Sequence, residues 1–217
     1  MASPDKPATR ESALKSIANF AADIRIGDQR IIAKAASLVE DFELVVSELK
    51  PLLAEPAKSP PIIGITGSPG VGKSTTTNAL INLIRKNGES VAIVAIDPSS
   101  AITGGALLGD RIRLTHHFSD KKVFIRSLAT RGALGGLSNA TDSVVYILAV
   151  AGFDNVIIET VGVGQSEIEV MRHADTVMVV LAPGMGDGIQ AAKAGVMEIG
   201  DLYLINKEDR GGAEEVA

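Results

Sequence analysis

Residues 62–86 read IIGITGSPGVGKSTTTNALINLIRK, and the architecture of the chain can be worked out from them. The apolar, β-branched run at 62–66 predicts a buried strand, and the apolar spacing over Lys73–Lys86 predicts a helix. Between them lies a glycine-rich loop made of Gly67, Ser68, Pro69, Gly70, Val71 and Gly72. A strand, such a loop and a helix in this order match the phosphate-binding pattern Gly-x-x-x-x-Gly-Lys-Ser.

This loop predicts a site for a nucleoside triphosphate. Glycines let the backbone wrap so that its N–H groups point at phosphate oxygens, and the helix adds its positive N-terminal end. In this pattern Lys73 reaches the β- and γ-phosphates, where it also serves catalysis, and the Ser74 hydroxyl ligates Mg²⁺. We expect the nucleotide to be bound by Gly67 through Thr75. The alternative is a glycine-rich turn without a ligand, and the strand and helix on either side of the loop weigh against it.

Five further apolar runs follow, with helical stretches such as Thr141–Ala151 between most of them. Near-continuous apolar runs are typical of strands covered on both faces, and alternation with helices indicates a parallel sheet. The runs lie at 91–96, 123–127, 155–160, 176–182 and 202–206. We therefore predict an α/β fold, a three-layer P-loop NTPase sandwich with a mostly parallel sheet. Ligands of such sheets bind at the carboxyl ends of the strands.

The first part of the chain has a different pattern. Apolar spacing predicts one helix over 12–26 and a second that begins after an Asp28 N-cap and runs to Leu49. A proline-rich linker follows. We predict an N-terminal helical segment with its linker over 1–59, forming a hairpin packed against a P-loop domain over 60–217.

Acidic residues near the ends of two other strands are candidates for metal and water chemistry. Asp97 directly follows the second run and Glu159 lies at the end of the fourth, while Asp110 follows a glycine-rich segment. A carboxylate at such a position orients water on Mg²⁺ or acts as a base toward an attacking water. We predict Asp97, Asp110 and Glu159 as catalytic and, with Ser74, metal-associated residues. The Gly162 N–H is then placed to sense the γ-phosphate.

The last predicted strand ends in Asn206-Lys207-Glu208-Asp209. The Asp209 carboxylate can accept two hydrogen bonds from the N1–H and N2 amino groups of guanine, whereas adenine has neither donor. The wrong base leaves a desolvated carboxylate unpaired, so adenine is rejected. Asn206 and Lys207 are expected to brace the loop and cover the base. The predicted ligands are GTP or GDP together with Mg²⁺.

Composition excludes several other functions. The 217 residues contain no Cys, which removes disulfides and thiolate metal sites. Aromatic residues make up 3% of the chain and the net charge is -5, which argues against RNA stacking and against a general attraction to nucleic acid or anionic membranes. No apolar run approaches the ~20 residues that span a bilayer, and no signal core is present. We expect a cytoplasmic or matrix enzyme.

The segments between the motifs resemble one family. They read IDPSSAITGGALLGDRIR, FIRSLATRGALGGLSNAT, ETVGVGQSE and LAPGMGDGIQAAKAGVMEIGDL. These segments, and the chain from about Ile24 to Asp209, resemble the MeaB/ArgK family of P-loop GTPases. The resemblance implies a metallochaperone-type G protein that couples GTP binding and hydrolysis to adenosylcobalamin loading and protection of a cobalamin-dependent acyl-CoA mutase such as methylmalonyl-CoA mutase.

The resemblance also implies roles for particular residues. Asp97 and Asp110 fall in a first switch and Glu159 in a second. The stretch Gly184–Lys193 matches a third switch, which in the family communicates with the mutase. It contains the polar and charged residues Asp187, Gln190 and Lys193. Hydrolysis without a partner is expected to be slow. The arginines available to stabilise the transition state are Arg111, Arg113, Arg126 and Arg131.

Two departures from the family pattern carry expectations. Asn139 stands where many members have a basic residue, and we assign no consequence to it. Members usually continue past Asp209 with a strand, a loop that helps to hold guanine, and helices that form a homodimer. We therefore expect this chain to have a more open guanine pocket, weaker guanine affinity and impaired dimerisation.

Three other functions fit part of the pattern. A nickel-insertion GTPase would need Cys or His ligands, and the adjacent pair His116-His117, which we expect to be solvated, is a poor substitute. A phosphotransferase would need an acceptor other than water. A nucleotide-binding protein without turnover would keep the loops and lack hydrolysis.

Overall fold

The structure is a computed structural model, and it describes residues 7–97, 114, 116–129, 134–160, 171, 173–183 and 198–210. The chain divides into two compact units. The first comprises Met1–Pro60 and Ser138–Phe153, and the second comprises Pro61–Leu137 and Asp154–Ala217. The domain boundary between residues 59 and 60 stays a prediction. Within the described residues, no helix combines the length and apolar character that a membrane span requires.

The helices of the first unit begin where the sequence provides caps. Helix α1 spans Arg10–Arg25, and the Thr9 side chain accepts a hydrogen bond from the Ser12 N–H at its start. Helix α2 spans Gln29–Phe42, and its predicted N-cap is confirmed. The Asp28 carboxylate accepts hydrogen bonds from the N–H groups of Arg30 at 2.9 Å and Ile31 at 3.2 Å. Buried residues of both helices, including Ile17 and Ile32, form the core of this unit.

The prediction that the second helix continues to Leu49 is wrong. Helix α2 ends at Phe42 because Glu43 adopts a left-handed conformation with φ 50°, and a separate short helix α3 covers Val46–Leu49. Arg10 stabilises this break, since its guanidinium donates to the carbonyl oxygen of Phe42 at 2.7 Å and to Glu48 Oε2 at 2.7 Å. The apolar spacing runs through the break because Leu44 and Leu49 are buried on both sides of it.

The second unit contains a six-stranded sheet whose strand pairs are all parallel, as predicted. The strand order is β3-β2-β4-β1-β5-β6, which leaves the phosphate-loop strand flanked by the fourth and fifth strands. The strands span Ile62–Thr66 (β1), Val91–Asp97 (β2), Val123–Ala129 (β3), Asn155–Thr160 (β4), Thr176–Leu181 (β5) and Leu202–Ile205 (β6). All six lie within two residues of their predicted bounds. This unit also contains helix α4, Lys73–Lys86, as predicted. Helix α5 spans Leu134–Val150, and most of it belongs to the first unit.

Helix α4 covers one face of this sheet with an apolar stripe. Ile81 and Ile84 of α4 pack with Ile65, Ile93 and Ile157 of the three central strands in one buried cluster. Isoleucine and valine suit strands that are buried in this way. The cluster packs α4 against the sheet.

The amino edge of the sheet is closed by carboxylates that bind backbone N–H groups. Asp154 Oδ2 accepts from Ser90 N, and Asp175 Oδ2 accepts from Ile62 N, both at 2.8 Å. Asp201 Oδ2 accepts from the Val177 N–H at the same distance. These acidic residues therefore satisfy the first donors of neighbouring strands.

Candidate functional site

The phosphate loop adopts a backbone that needs glycine at several positions. Gly67, Gly70 and Gly72 have φ values of 143°, 85° and 103°, which L-residues rarely adopt. A Cβ atom on Gly67 would overlap the carbonyl group of Val180, and one on Gly72 would overlap the side-chain amide of Asn206. The loop therefore lies close to the backbone of β5 and to a side chain that directly follows β6.

Lys73 lies beneath this loop as the first residue of α4. Its side chain is buried, and Nζ donates to the carbonyl oxygens of Gly67 at 2.6 Å and Ser68 at 3.0 Å. The Ser68 hydroxyl is also buried and has no hydrogen-bond partner among the described residues. A buried charge and a buried hydroxyl without a partner both cost free energy in a folded protein, and a bound polar ligand offsets that cost. Both groups suit a bound phosphate.

Glu159 connects the end of β4 to the start of α4. Its carboxylate is buried, and it accepts hydrogen bonds from the Ser74 hydroxyl at 2.9 Å and the Thr77 hydroxyl at 2.7 Å. The contact is possible because β4 pairs with β1 and Glu159 lies in register with Ile65. Hydroxyl and carboxylate oxygens are the donors that Mg²⁺ prefers, so the residues at this position fit a magnesium ion bound with phosphates.

The end of β6 is joined to the phosphate loop through two consecutive side chains. Asn206 Nδ2 donates to the carbonyl oxygen of Val71 at 3.0 Å, and Lys207 Nζ donates to that of Gly70. Lys207 has a φ of 61°, and its backbone N–H bonds to the Asn206 side-chain oxygen at 2.9 Å. The exposed Asp209 follows in a 3₁₀ turn, Glu208–Arg210.

The structure brings together most of the predicted site residues that it describes. Ser74, directly after the loop lysine, contacts Glu159. The loop carbonyls of Val71 and Gly70 accept from Asn206 and Lys207. Asp97 is the last residue of β2, the strand next to β4, and it lies in register with Ala129. The predicted site residues Asp110 and Gly162 and the segment Gly184–Lys193 lie outside the described residues. The roles of all these residues stay predictions.

Thr77 is a site residue that the sequence prediction missed. Its side chain is fully buried, and its hydroxyl binds the same carboxylate as Ser74. The available signal was its place in the pattern, since Thr77, Ile81 and Ile84 form one helical stripe facing the sheet. A polar residue in an apolar stripe needs a buried partner, and Glu159 provides it.

The histidine pair differs from the expectation that both side chains are solvated. His116 is exposed, but His117 is buried and its Nε2 lies 2.7 Å from Asn78 Oδ1 on α4. Burial lowers the pKa of His117 below its usual value, although nearby Asp120 acts in the opposite direction. Among the residues that the structure describes, no group of three or more His, Asp or Glu side chains could hold a metal ion by itself.

Comparisons with known proteins point in the same direction. The sequence profile of the family described as "Methylmalonyl Co-A mutase-associated GTPase MeaB" matches residues 32–217. A protein of Pyrococcus horikoshii predicted to be a GTPase is 49% identical over 195 residues, covering 88% of this chain and 60% of its own length. The Escherichia coli GTPase ArgK is 38% identical over 198 residues, covering 89% of this chain and 60% of its own. The chain thus spans 60% of the length of these two curated relatives.

A solved structure supports the fold. The crystal structure of a protein named LAO/AO transport system kinase superposes with a TM-score of 0.62 at 29% sequence identity. The match covers 97% of this chain and 61% of that one. The α/β P-loop architecture predicted from the sequence is therefore confirmed.

Proposed function

This chain belongs to the MeaB family of methylmalonyl-CoA mutase-associated GTPases, and from that premise we propose that it binds GTP with Mg²⁺ and hydrolyses it to GDP and phosphate. The observation that carries the proposal is the pair of hydrogen bonds from Asn206 and Lys207 to Val71 and Gly70. These bonds join the sequence that we propose to recognise the base to the loop that we propose to bind phosphate. A site for phosphate alone would not need that connection.

The phosphate half of the site rests on Lys73 and Ser74. The buried Lys73 ammonium is held by the loop carbonyls of Gly67 and Ser68, so it is desolvated and fixed in position within the loop. In this proposal it meets the negative charge of the β- and γ-phosphates. Ser74 would hold Mg²⁺ through its hydroxyl, and Glu159 would act through its hydrogen bond to Ser74. When bound, Mg²⁺ would neutralise charge on the phosphate oxygens.

Other predicted residues complete the proposed reaction. Asp97, as the last residue of β2, and Asp110 are proposed to associate with the metal ion or to orient the attacking water. The Gly162 N–H is proposed to bind the γ-phosphate. Their assignment rests on their positions in the sequence motifs and on the family resemblance.

The base half of the site rests on Asp209. Its carboxylate is exposed and follows the two residues that brace the phosphate loop. It is proposed to accept hydrogen bonds from guanine N1–H and N2, as adenine cannot donate them. GTP is therefore favoured over ATP.

We further propose that a cobalamin-dependent acyl-CoA mutase binds this protein and distinguishes its GTP-bound form from its GDP-bound form. The support is the family description, which names methylmalonyl-CoA mutase. In this role, GTP binding and hydrolysis assist the loading of adenosylcobalamin and protect the mutase. The segment Gly184–Lys193 is the proposed contact, by the family resemblance.

Two measurements test the proposal. Calorimetric titration with GTP and ATP should give the tighter binding for GTP, and phosphate release from GTP should be lost in Lys73→Ala. A preference for ATP, or phosphate release that persists in Lys73→Ala, would contradict the GTPase assignment. Pull-down of methylmalonyl-CoA mutase by GTP-loaded and GDP-loaded protein tests the partner separately. Equal absence of the mutase from both would contradict that part alone.

A further inference from the structure

Thr77 and Ser74 hold the two oxygens of a single carboxylate. The Thr77 hydroxyl donates to Glu159 Oε2 at 2.7 Å, while the Ser74 hydroxyl donates to Oε1 at 2.9 Å. Residues three apart on a helix share one face, so both hydroxyls approach Glu159 from α4. The phosphate-loop pattern includes Ser74 and stops before Thr77.

From this geometry we infer that Thr77 is a positioning residue for the magnesium-nucleotide site, acting through Glu159. The inference rests on the proposed function because it concerns the same site. The terminal torsion of a glutamate side chain is broad, so a carboxylate held at one oxygen can rotate. The hydrogen bond from Thr77 restrains that rotation and keeps Oε1 directed at Ser74.

This restraint matters for what the Ser74 hydroxyl can offer to a metal ion. A serine hydroxyl has one proton and two acceptor lone pairs. Donation of the proton to Glu159 leaves the lone pairs available for Mg²⁺. A carboxylate that rotates away would leave the proton without this acceptor and the hydroxyl without a fixed orientation. Thr77 therefore affects Mg²⁺ binding without touching the ion.

The position of Thr77 in the helix supports a polar role. Thr77, Ile81 and Ile84 make the buried stripe of α4, and both isoleucines belong to the apolar core of the second unit. Valine has nearly the same shape as threonine and would suit the apolar neighbours equally well. The hydroxyl is thus the feature that distinguishes Thr77 from a packing residue.

A purely structural role is the competing explanation. In that case the Thr77 hydroxyl only satisfies a buried carboxylate, and its loss lowers thermal stability without changing how nucleotide affinity depends on Mg²⁺. A positioning role changes that dependence. It also predicts that Thr77→Ser, which keeps the hydroxyl, behaves like the wild type.

The test is a titration of the wild type, Thr77→Val and Thr77→Ser with a fluorescent, non-hydrolysable GTP analogue, in EDTA and over a series of Mg²⁺ concentrations. We expect similar affinities in EDTA for all three proteins. We expect the gain in affinity on adding Mg²⁺ to fall at least about fivefold in Thr77→Val alone, since a hydrogen bond to a charged group is lost. An equal gain in the wild type and Thr77→Val would overturn the inference.

Thermal unfolding followed by circular dichroism checks that each variant is folded. Thr77→Ala is a second variant that removes the hydroxyl, and it keeps the test decisive if Thr77→Val does not fold. If the wild type binds the analogue more tightly with Mg²⁺ and the hydroxyl-free variants show the same gain, the inference is wrong and the proposed function stands. A wild type that binds no guanine nucleotide defeats the proposed function and the inference together.

Discussion

Asn206 donates its side-chain amide to the carbonyl oxygen of Val71 at 3.0 Å, and this bond joins the end of β6 to the phosphate loop across 135 positions of sequence. The same amide group occupies the space that a Cβ atom on Gly72 would need. Close approach of the two segments therefore depends on both residues. The Asn206 amide fits against the loop because residue 72 has no side chain.

Asn206→Ala should weaken binding of GTP and GDP by a similar factor. The variant loses a hydrogen bond that positions the loop, and such a bond is worth about 1 kcal/mol, or roughly fivefold in affinity. Calorimetric titration with both nucleotides measures the effect. Asn82→Ala, at an exposed position on α4, is the matched control and should bind like the wild type. A loss confined to GTP would contradict a bracing role for Asn206.

Gly72→Ala should destabilise the protein more than Gly88→Ala. Both glycines have positive φ, so both substitutions carry the cost of a left-handed alanine, about 1 kcal/mol. Gly88 has open space around it, whereas a Cβ atom on Gly72 meets Asn206. Denaturant unfolding measures the difference. The double variant Gly72→Ala with Asn206→Ala should lose less stability than the sum of the losses in the two single variants. Strict additivity of the two losses would refute the overlap.

His117 should make the protein less stable as the pH falls below about 6.5, the value of an unperturbed histidine. Burial lowers its pKa in the folded state, so as the pH falls the unfolded state takes up a proton first and is stabilised relative to the folded state. The loss between pH 7.5 and 5.5 should be up to about 1 kcal/mol. His117→Gln keeps an N–H for Asn78 Oδ1 and cannot titrate. Denaturant unfolding at both pH values should therefore give a smaller loss for the variant, and equal losses would refute the assignment.

The sheet and half of the site could be predicted because their signals are local. A buried parallel strand is a short apolar run, and the phosphate loop is a contiguous motif, so 62–66 and Lys73–Lys86 match the observed β1 and α4. Strand ends of a parallel sheet meet at one edge, which is why Glu159 and Asn206 could be assigned to the same site before any contact was known.

The features that the sequence did not reveal depend on distant contacts. Helix α2 ends at Phe42 because Glu43 turns left-handed and Arg10, 32 positions earlier, binds the Phe42 carbonyl. The apolar periodicity continues past that point and carries no record of the break. The role of Thr77 likewise depends on a carboxylate 82 positions away. Patterns of residue type indicate which face is buried, but they do not identify the partner of a buried hydroxyl.

Asp209→Asn should change the preferred base from guanine to xanthine. The carboxylate accepts from guanine N1–H and N2 in the proposed site, whereas an asparagine amide can donate to the O2 atom that replaces the amino group in xanthine. Hydrogen bonds to a charged group are worth about 1.5–3 kcal/mol, so GTP affinity should fall by roughly 10- to 100-fold. Displacement of the fluorescent analogue by GTP and by xanthosine triphosphate, measured separately, gives the relative affinity for the two bases. Glu208→Gln removes a neighbouring exposed charge and serves as the control, because it should leave the preference for GTP unchanged. A similar loss of GTP affinity in both variants would mean that general charge, rather than base pairing with Asp209, sets the affinity.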